Sequence, residues 1–148
     1  MKKEVIRDWM TSDVITVTPD MTLPEAHQLM TNEEIRRLPV VDKQGHLVGI
    51  VSIGDVRSAE PSPATSLSIW ELNYLLSTLT IGKIMTANPF TISPDATLAE
   101  AARMMLEHRV SGLPVVDEEH RVIGIITESD IFAMVVLHEW GAEPHLQE

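Results

Sequence analysis

Residues 10–55 and 85–130 are two copies of one unit. A constant offset of 75 residues (85 − 10, and equally 130 − 55) superimposes them without a gap, with 18 identities over 46 positions. The shared residues include Met-Thr at Met10 and Met85, and the block Pro-Asp-x-Thr-Leu-x-Glu-Ala from Pro19 and Pro94. They continue with Leu-Pro-Val-Val-Asp from Leu38 and Leu113, and Gly-Ile at Gly49 and Gly124. A unit of this length is too short to enclose a stable core alone, so the two copies are expected to pack on each other.

Each copy reads as β-α-β-β-α. Val14–Val17 and Phe90–Ile92 are short extended pieces ended by Pro-Asp turns. Leu98, Ala101, Ala102, Met105 and Leu106 then recur at helical spacing behind Thr97, with Glu100 three residues on, and Thr22 with Glu25 does the same in the first copy. Two β-branched runs flank a turn at residues 43–45 or 118–120, which predicts a hairpin whose continuous apolar strands are buried on both faces. Ser52 or Thr127 opens a last helix, carried in the second copy by the apolar run Ile131 to Trp140.

The fold class is therefore α/β (α+β): two β-α-β-β-α repeats packed with pseudo-twofold symmetry, plus a connector helix. The expected domains are residues 1–58 and 81–148. Residues 59–80 form the linker, a Pro/Ser stretch followed by Ser68-Ile69-Trp70-Glu71, which is a capping box for a helix to about Leu79. That helix carries Trp70, Tyr74 and leucines and needs an apolar surface to cover it, on its own chain or on a partner.

Composition narrows the function classes. The 11 Lys and Arg against 22 Asp and Glu leave a formal charge of −11, which repels nucleic acid and anionic membranes. No uncharged apolar run approaches a membrane span, and charges at Glu4, Arg7 and Asp8 break any signal-peptide pattern at the start. The absence of cysteine excludes thiol catalysis and thiolate metal sites and agrees with a cytoplasmic setting. The six histidines show no paired metal spacing, the methionines fall at core positions, and Ser52 is out of register for a nucleophile elbow. No catalytic residue, metal site or required cofactor is expected.

The duplicated ends Gly49–Asp55 and Gly124–Asp130 admit two readings. Ser/Thr-x-x-Asp entering a helix is close to a capping box, with Ser52 and Thr127 as N-caps, which alone explains both copies. Alternatively, Asp is shorter than the usual Glu and reaches back less well, leaving Asp55 and Asp130 to accept two hydrogen bonds from a vicinal diol such as ribose, beside helix-start amides suited to phosphate. Before the Leu-Pro-Val-Val-Asp strand the copies differ: Ile35-Arg36-Arg37 against Val110-Ser111-Gly112. Only the arginines are strong phosphate ligands, and their competing role is surface pairing with Glu33 or Glu34.

In combination, the Met-Thr start, the Leu-Pro-Val-Val-Asp strand and the Gly-h-h-Ser/Thr-x-x-Asp ending resemble a tandem cystathionine-β-synthase (CBS) domain pair, the Bateman module. The connector from Ser62 to Leu76 is similar to that of acetoin-utilisation-type CBS proteins. The resemblance implies a homodimer that binds an adenosine compound (AMP, ADP, ATP or S-adenosylmethionine) as a regulatory signal, without chemistry on it, and reports to an unidentified regulated protein. It implies that Asp55 and Asp130 hold ribose, that Ser52 and Thr127 lie near phosphates, and that Ile35, Arg36, Arg37, Val110 and Ser111 contact base or phosphate. Backbone around Ile15 and Phe90 would face adenine. Each cleft would draw on both copies: Ser52, Asp55 and the arginines with Phe90, Val110 and Ser111, and Thr127, Ser129 and Asp130 with Thr11, Ile15, Ile35 and Arg36. Gly112 completes the set at the start of its strand. The rival expectation is a dimerisation or scaffold module whose motifs serve only as caps.

Overall fold

The computed structural model describes residues 4–61 and 66–139. It divides into two compact units that do not follow the repeats. One comprises residues 15–89 and the other residues 1–14 with 90–148, so the first segment of each repeat is built into the unit of the other.

In the unit of residues 15–89 the elements are α2 (Leu23–Glu33), β1 (Arg37–Val41), β2 (Leu47–Ser52), α3 (Ile53–Ala59), α4 (Ile69–Thr78), α5 (Ile81–Ile84) and β3 (Thr86–Ala87). The other unit holds α1 (Ile6–Trp9), α6 (Leu98–His108), β4 (Gly112–Val116), β5 (Val122–Thr127), α7 (Glu128–Met134) and a π-helical turn, Val135–Glu139. The apolar run of the last helix thus ends in a wider turn, and Trp140 lies outside the described residues.

Both long helices begin and end as their sequences dictate. Thr22 accepts the Glu25 N–H and Thr97 accepts the Glu100 N–H, and each helix stops at a left-handed residue, Glu34 (φ 55°) or Arg109 (φ 56°). Leu23, Ala26 and Met30 face one core, and Leu98, Ala101 and Met105 face the other. Leu106 does not share that face and is 82% exposed. At 100° per residue it lies about 80° around the helix from Leu98, on the opposite side from Ala101.

The predicted hairpins are present. β1 pairs with β2 antiparallel from Arg37↔Ser52 to Val41↔Leu47, and β4 with β5 from Gly112↔Thr127 to Val116↔Val122, each with an irregularity before its last pair. Asp42 fastens the first turn by accepting the N–H groups of Gln44 and His46, and Asp117 does the same for Glu119 and Arg121. The equivalent turn residues Gly45 (φ 87°) and His120 (φ 64°) are both left-handed.

Two strand expectations need correction. The extended pieces before the helices are not full strands: Val17 and Ile92 each make a single parallel bridge, to Val40 and Val115. The second hairpin strands are not buried on both faces either. β2 alternates buried and half-buried along its length and β5 does so over its last four residues, so each strand turns one face to the core and leaves the other partly open.

The connector helix α4 forms as expected, with Ser68 accepting the Glu71 N–H at 3.2 Å. It buries no residue, Trp70 is 80% exposed and Tyr74 73%, so its aromatic face is not packed on the described part of its own unit.

Candidate functional site

At the end of the first hairpin, β2 stops at Ser52 and α3 begins. The Ser52 N–H donates to Asp55 Oδ2 at 2.9 Å, and the Asp55 N–H donates to Ser52 Oγ at 3.1 Å. In the second unit the Thr127 N–H donates to Asp130 Oδ2 at 2.8 Å and the Thr127 hydroxyl donates to the same oxygen at 3.2 Å. Both aspartates therefore reach back to the strand-end N–H, against the expectation that the shorter side chain would be left free; Asp55 closes a reciprocal capping box, whereas the Thr127 hydroxyl donates to Asp130 and caps no helix N–H. The β-region conformation of Ser52 and Thr127 brings the strand end close enough for Asp to suffice. Among the described residues, Oδ1 of each carboxylate accepts no hydrogen bond, so half of each acceptor remains for a ligand.

Burial raises the Asp130 carboxyl above the usual aspartate value of 3.8, opposed by the two hydrogen bonds from Thr127. The carboxylate is half-buried at a helix start, where a donor from a ligand hydroxyl would compensate its lost water.

Register brings the sequence-selected residues together within each unit. Arg37 pairs with Ser52 across the hairpin, and the Arg36 carbonyl accepts the Ile53 N–H at 2.8 Å, placing both arginines beside the start of α3. Ile15 and Ile35 pack against the core below them. Arg36 is exposed and enters no ion pair with the described residues, so the surface pairing with Glu33 or Glu34 does not occupy it.

In the second unit Gly112 pairs with Thr127, and the Ser111 carbonyl accepts the Glu128 N–H at 3.1 Å. Val110 packs on the core, Ser129 is exposed in the first turn of α7, and Thr11 bridges Ile125 two residues before Thr127. Phe90 is 49% exposed and its ring stacks on His108.

The sequence reading missed two residues here. His108 and Arg109 end α6 directly before Val110, so this unit also carries an exposed guanidinium near its motif, and the arginines are not confined to one copy. The signal lay at the helix end, where Glu33-Glu34 in one copy corresponds in sequence to His108-Arg109 in the other.

A cavity of about 500 Å³ in the second unit lies elsewhere. Lined by Arg7, Ile92, Asp95, Val116, Asp117 and Glu118 among others, it sits at the turn end of β4–β5, away from Thr127 and Asp130. Among the described residues no cluster of three or more His, Asp or Glu could hold a metal ion, and no helix is long and apolar enough to cross a membrane.

The CBS domain family model matches residues 6–62 and 81–136, and the chain belongs to this family as a tandem pair. It is 34% identical over 134 residues to a CBS domain-containing protein of Dictyostelium discoideum, covering 90% of this chain and 92% of that one. Other curated relatives are longer, and the chain spans 24% of a homoserine O-acetyltransferase of Methanococcoides burtonii at 36% identity.

Solved structures that share the fold include CBS pairs with bound ligands. A CBS domain pair in complex with 5′-methylthioadenosine and S-adenosyl-L-methionine superimposes with a TM-score of 0.74 at 30% identity, covering 88% of this chain and 94% of that one. The CBS-pair protein CBSX2 in complex with AMP, from Arabidopsis thaliana, gives 0.76 at 28%, covering 92% and 98%. The acetoin-utilization-type protein AcuB of Vibrio cholerae gives 0.74 at 31%, covering 97% and 100%.

Proposed function

We propose that this CBS pair is a regulatory module that binds an adenosine compound (AMP, ADP, ATP or S-adenosylmethionine) at the helix starts of α3 and α7, and performs no chemistry on it. The single observation that carries this reading is the state of the two aspartates. Each is fixed in place through Oδ2 by the strand end and keeps Oδ1 available, at a helix N-terminus whose amides suit a phosphate. A ribose diol would donate to Oδ1, and Arg36, exposed and without an ion pair to the described residues, would meet phosphate beside Ser52. The CBS pairs of similar fold that were solved with AMP or with S-adenosyl-L-methionine support the choice of ligand class. In this proposal the protein acts as a cytoplasmic homodimer, and occupancy reaches an unidentified protein because the ligand binds one conformation better than another.

The bond from each aspartate back to its strand-end N–H, with a complete capping box at Ser52 and Asp55, favours a second reading, a dimerisation or scaffold module in which Ser52, Asp55, Thr127 and Asp130 only start helices. Calorimetry with AMP, ATP and S-adenosylmethionine separates the two. Submicromolar to micromolar binding that is lost in Asp55→Ala or Asp130→Ala supports the sensor. No binding below millimolar, or binding untouched by both substitutions while stability falls by a cap-sized amount, leaves the scaffold.

A further inference from the structure

Connector helix α4 is apolar on two opposite sides. Leu72, Leu76 and Leu79 are half-buried, and Leu79 packs against the core of residues 15–89. At 100° per residue, Tyr74 stands about 160° around the helix from both Leu72 and Leu76, with Trp70 about 40° from it. Both rings are exposed, and Ile69 at the edge of the same side is 68% exposed. Leu67, Trp70, Glu71, Tyr74 and Leu75 line an open hollow of about 510 Å³. A surface helix ordinarily turns one apolar stripe to its own core and polar residues outward. A second apolar stripe opposite the first is the pattern of a helix covered from both sides.

Charge and area select what covers it. Glu71 is the only charged residue in the stretch 61–82. A basic partner would find a single carboxylate there, and without Lys or Arg the stripe lacks what holds an amphipathic helix on anionic lipid. A second copy of this chain, with its formal charge of −11, is repelled wherever acidic surfaces meet, but it can approach here with one like charge on each side. The two rings of one copy expose roughly 300 Å². With Leu67, Ile69 and Leu75, two copies would bury about 1,000 Å² in total, which is what a specific interface needs. Trp and Tyr are also the residue types that anchor such contacts.

We infer that the outward side of α4 is the surface through which two copies of this chain associate. An antiparallel pair of α4 helices, about a twofold axis beside residue 72, sets Trp70 of each copy against Tyr74 of the partner subunit. The inference rests on the homodimer reading above and names its surface; it does not depend on the ligand.

Sedimentation velocity of the full chain at micromolar concentrations should show a dimer. Trp70→Asp and Tyr74→Asp should each weaken association about 30-fold or more, whereas Tyr74→Phe should keep it. Leu106→Asp, which charges an equally exposed apolar side chain on α6, should leave the dimer intact. Thermal melts of these variants should match wild type, since every substituted position is exposed. Because the chain has no cysteine, Glu71→Cys gives a single thiol, and a short bismaleimide should join the two copies through it with Trp70 and Tyr74 unchanged. A wild-type dimer that survives both Asp substitutions, or in which Glu71→Cys is not cross-linked, overturns α4 as the contact and leaves the homodimer reading in place. A wild type that stays monomeric throughout the micromolar range overturns both.

Discussion

The carbonyl oxygen of Thr11 lies 2.9 Å from where a β-carbon on Gly124 would stand. The two segments are held at that spacing by a reciprocal pair of hydrogen bonds between Thr11 and Ile125, at 3.0 and 2.9 Å. The other copy repeats the relationship, with the Thr86 carbonyl 3.1 Å from the β-carbon position of Gly49, and the Met85 side chain also against it. Thr11 belongs to the first repeat and Gly124 to the second, while Thr86 belongs to the second and Gly49 to the first. The duplicated Met-Thr and the duplicated glycine are thus two sides of one crossing, through which each repeat lends its first segment to the other unit.

Gly124→Ala must therefore displace the Thr11 backbone as well as the flexible Met10 side chain, whose sulfur lies 2.5 Å from the same point. Overpacking of this kind costs about 1–3 kcal/mol, and urea unfolding should show a loss of that size with an unchanged m-value. Gly54 is the control. It lies in the first turn of α3, where the nearest atom to an added β-carbon is Ser52 Oγ at 3.6 Å, so Gly54→Ala should be neutral or stabilise by up to about 1 kcal/mol. Equal losses for both variants would contradict the crossing as the reason for the glycine.

The aspartate bonds to the strand ends predict a separable stability effect. Asp55→Ala and Asp130→Ala each remove the acceptor for a strand-end N–H and should each lower stability by about 1 kcal/mol without ligand. With a saturating adenosine compound the gap to wild type should widen, because the variants also forfeit the ligand's mass-action contribution. Thermal shift with and without AMP reads both effects.

Much of the architecture was legible because its determinants are local. Thr22 with Glu25, Thr97 with Glu100 and Ser68 with Glu71 announce helix starts, and the Asp42 and Asp117 turns follow the apolar strands. The exchange of first segments was not legible, since the same Met-Thr pairs with either copy's glycine equally well as sequence. Leu106 misled because an apolar residue at the edge of a helical stripe reads like one at its centre. At the site, the motif residues could be chosen from the repeat, but the share of each carboxylate taken by its own strand end depends on a reach of a fraction of an ångström. The Phe90–His108 stack joins residues 18 apart with no periodic signal between them.

The carboxylates should titrate in opposite directions. Asp130 is raised by burial, so the folded state holds its proton more tightly than the unfolded chain. Stability from this group is greatest at low pH and falls as pH rises from the ordinary value of 3.8 through the higher folded value. Asp42 is lowered chiefly by the backbone N–H of His46, so its contribution is present above 3.8 and is lost as pH falls through its folded value. Carbon-detected NMR titration should place the Asp130 midpoint above that of Asp42. Asp130→Asn, which keeps an acceptor for the Thr127 N–H, should gain on wild type as pH rises from about 3 to 6. A gap that is flat across this range would mean that burial does not govern Asp130.

The arginines test the phosphate assignment apart from the ribose assignment. Arg36 is exposed and makes no ion pair with the described residues, so its removal leaves no buried partner uncompensated and should alter stability by no more than about 0.5 kcal/mol. A guanidinium hydrogen bond to phosphate is worth about 1.5–3 kcal/mol, so Arg36→Ala should weaken AMP and ATP by an order of magnitude or more. The double variant Arg36→Ala with Arg37→Ala should go further. Adenosine lacks the phosphate and should bind both variants as it binds wild type. Nucleotide affinity should also fall with added salt in wild type and less steeply in the variants, since the lost contact is the charged one. Equal weakening of adenosine and AMP would place the arginines in support of the fold rather than on the phosphate.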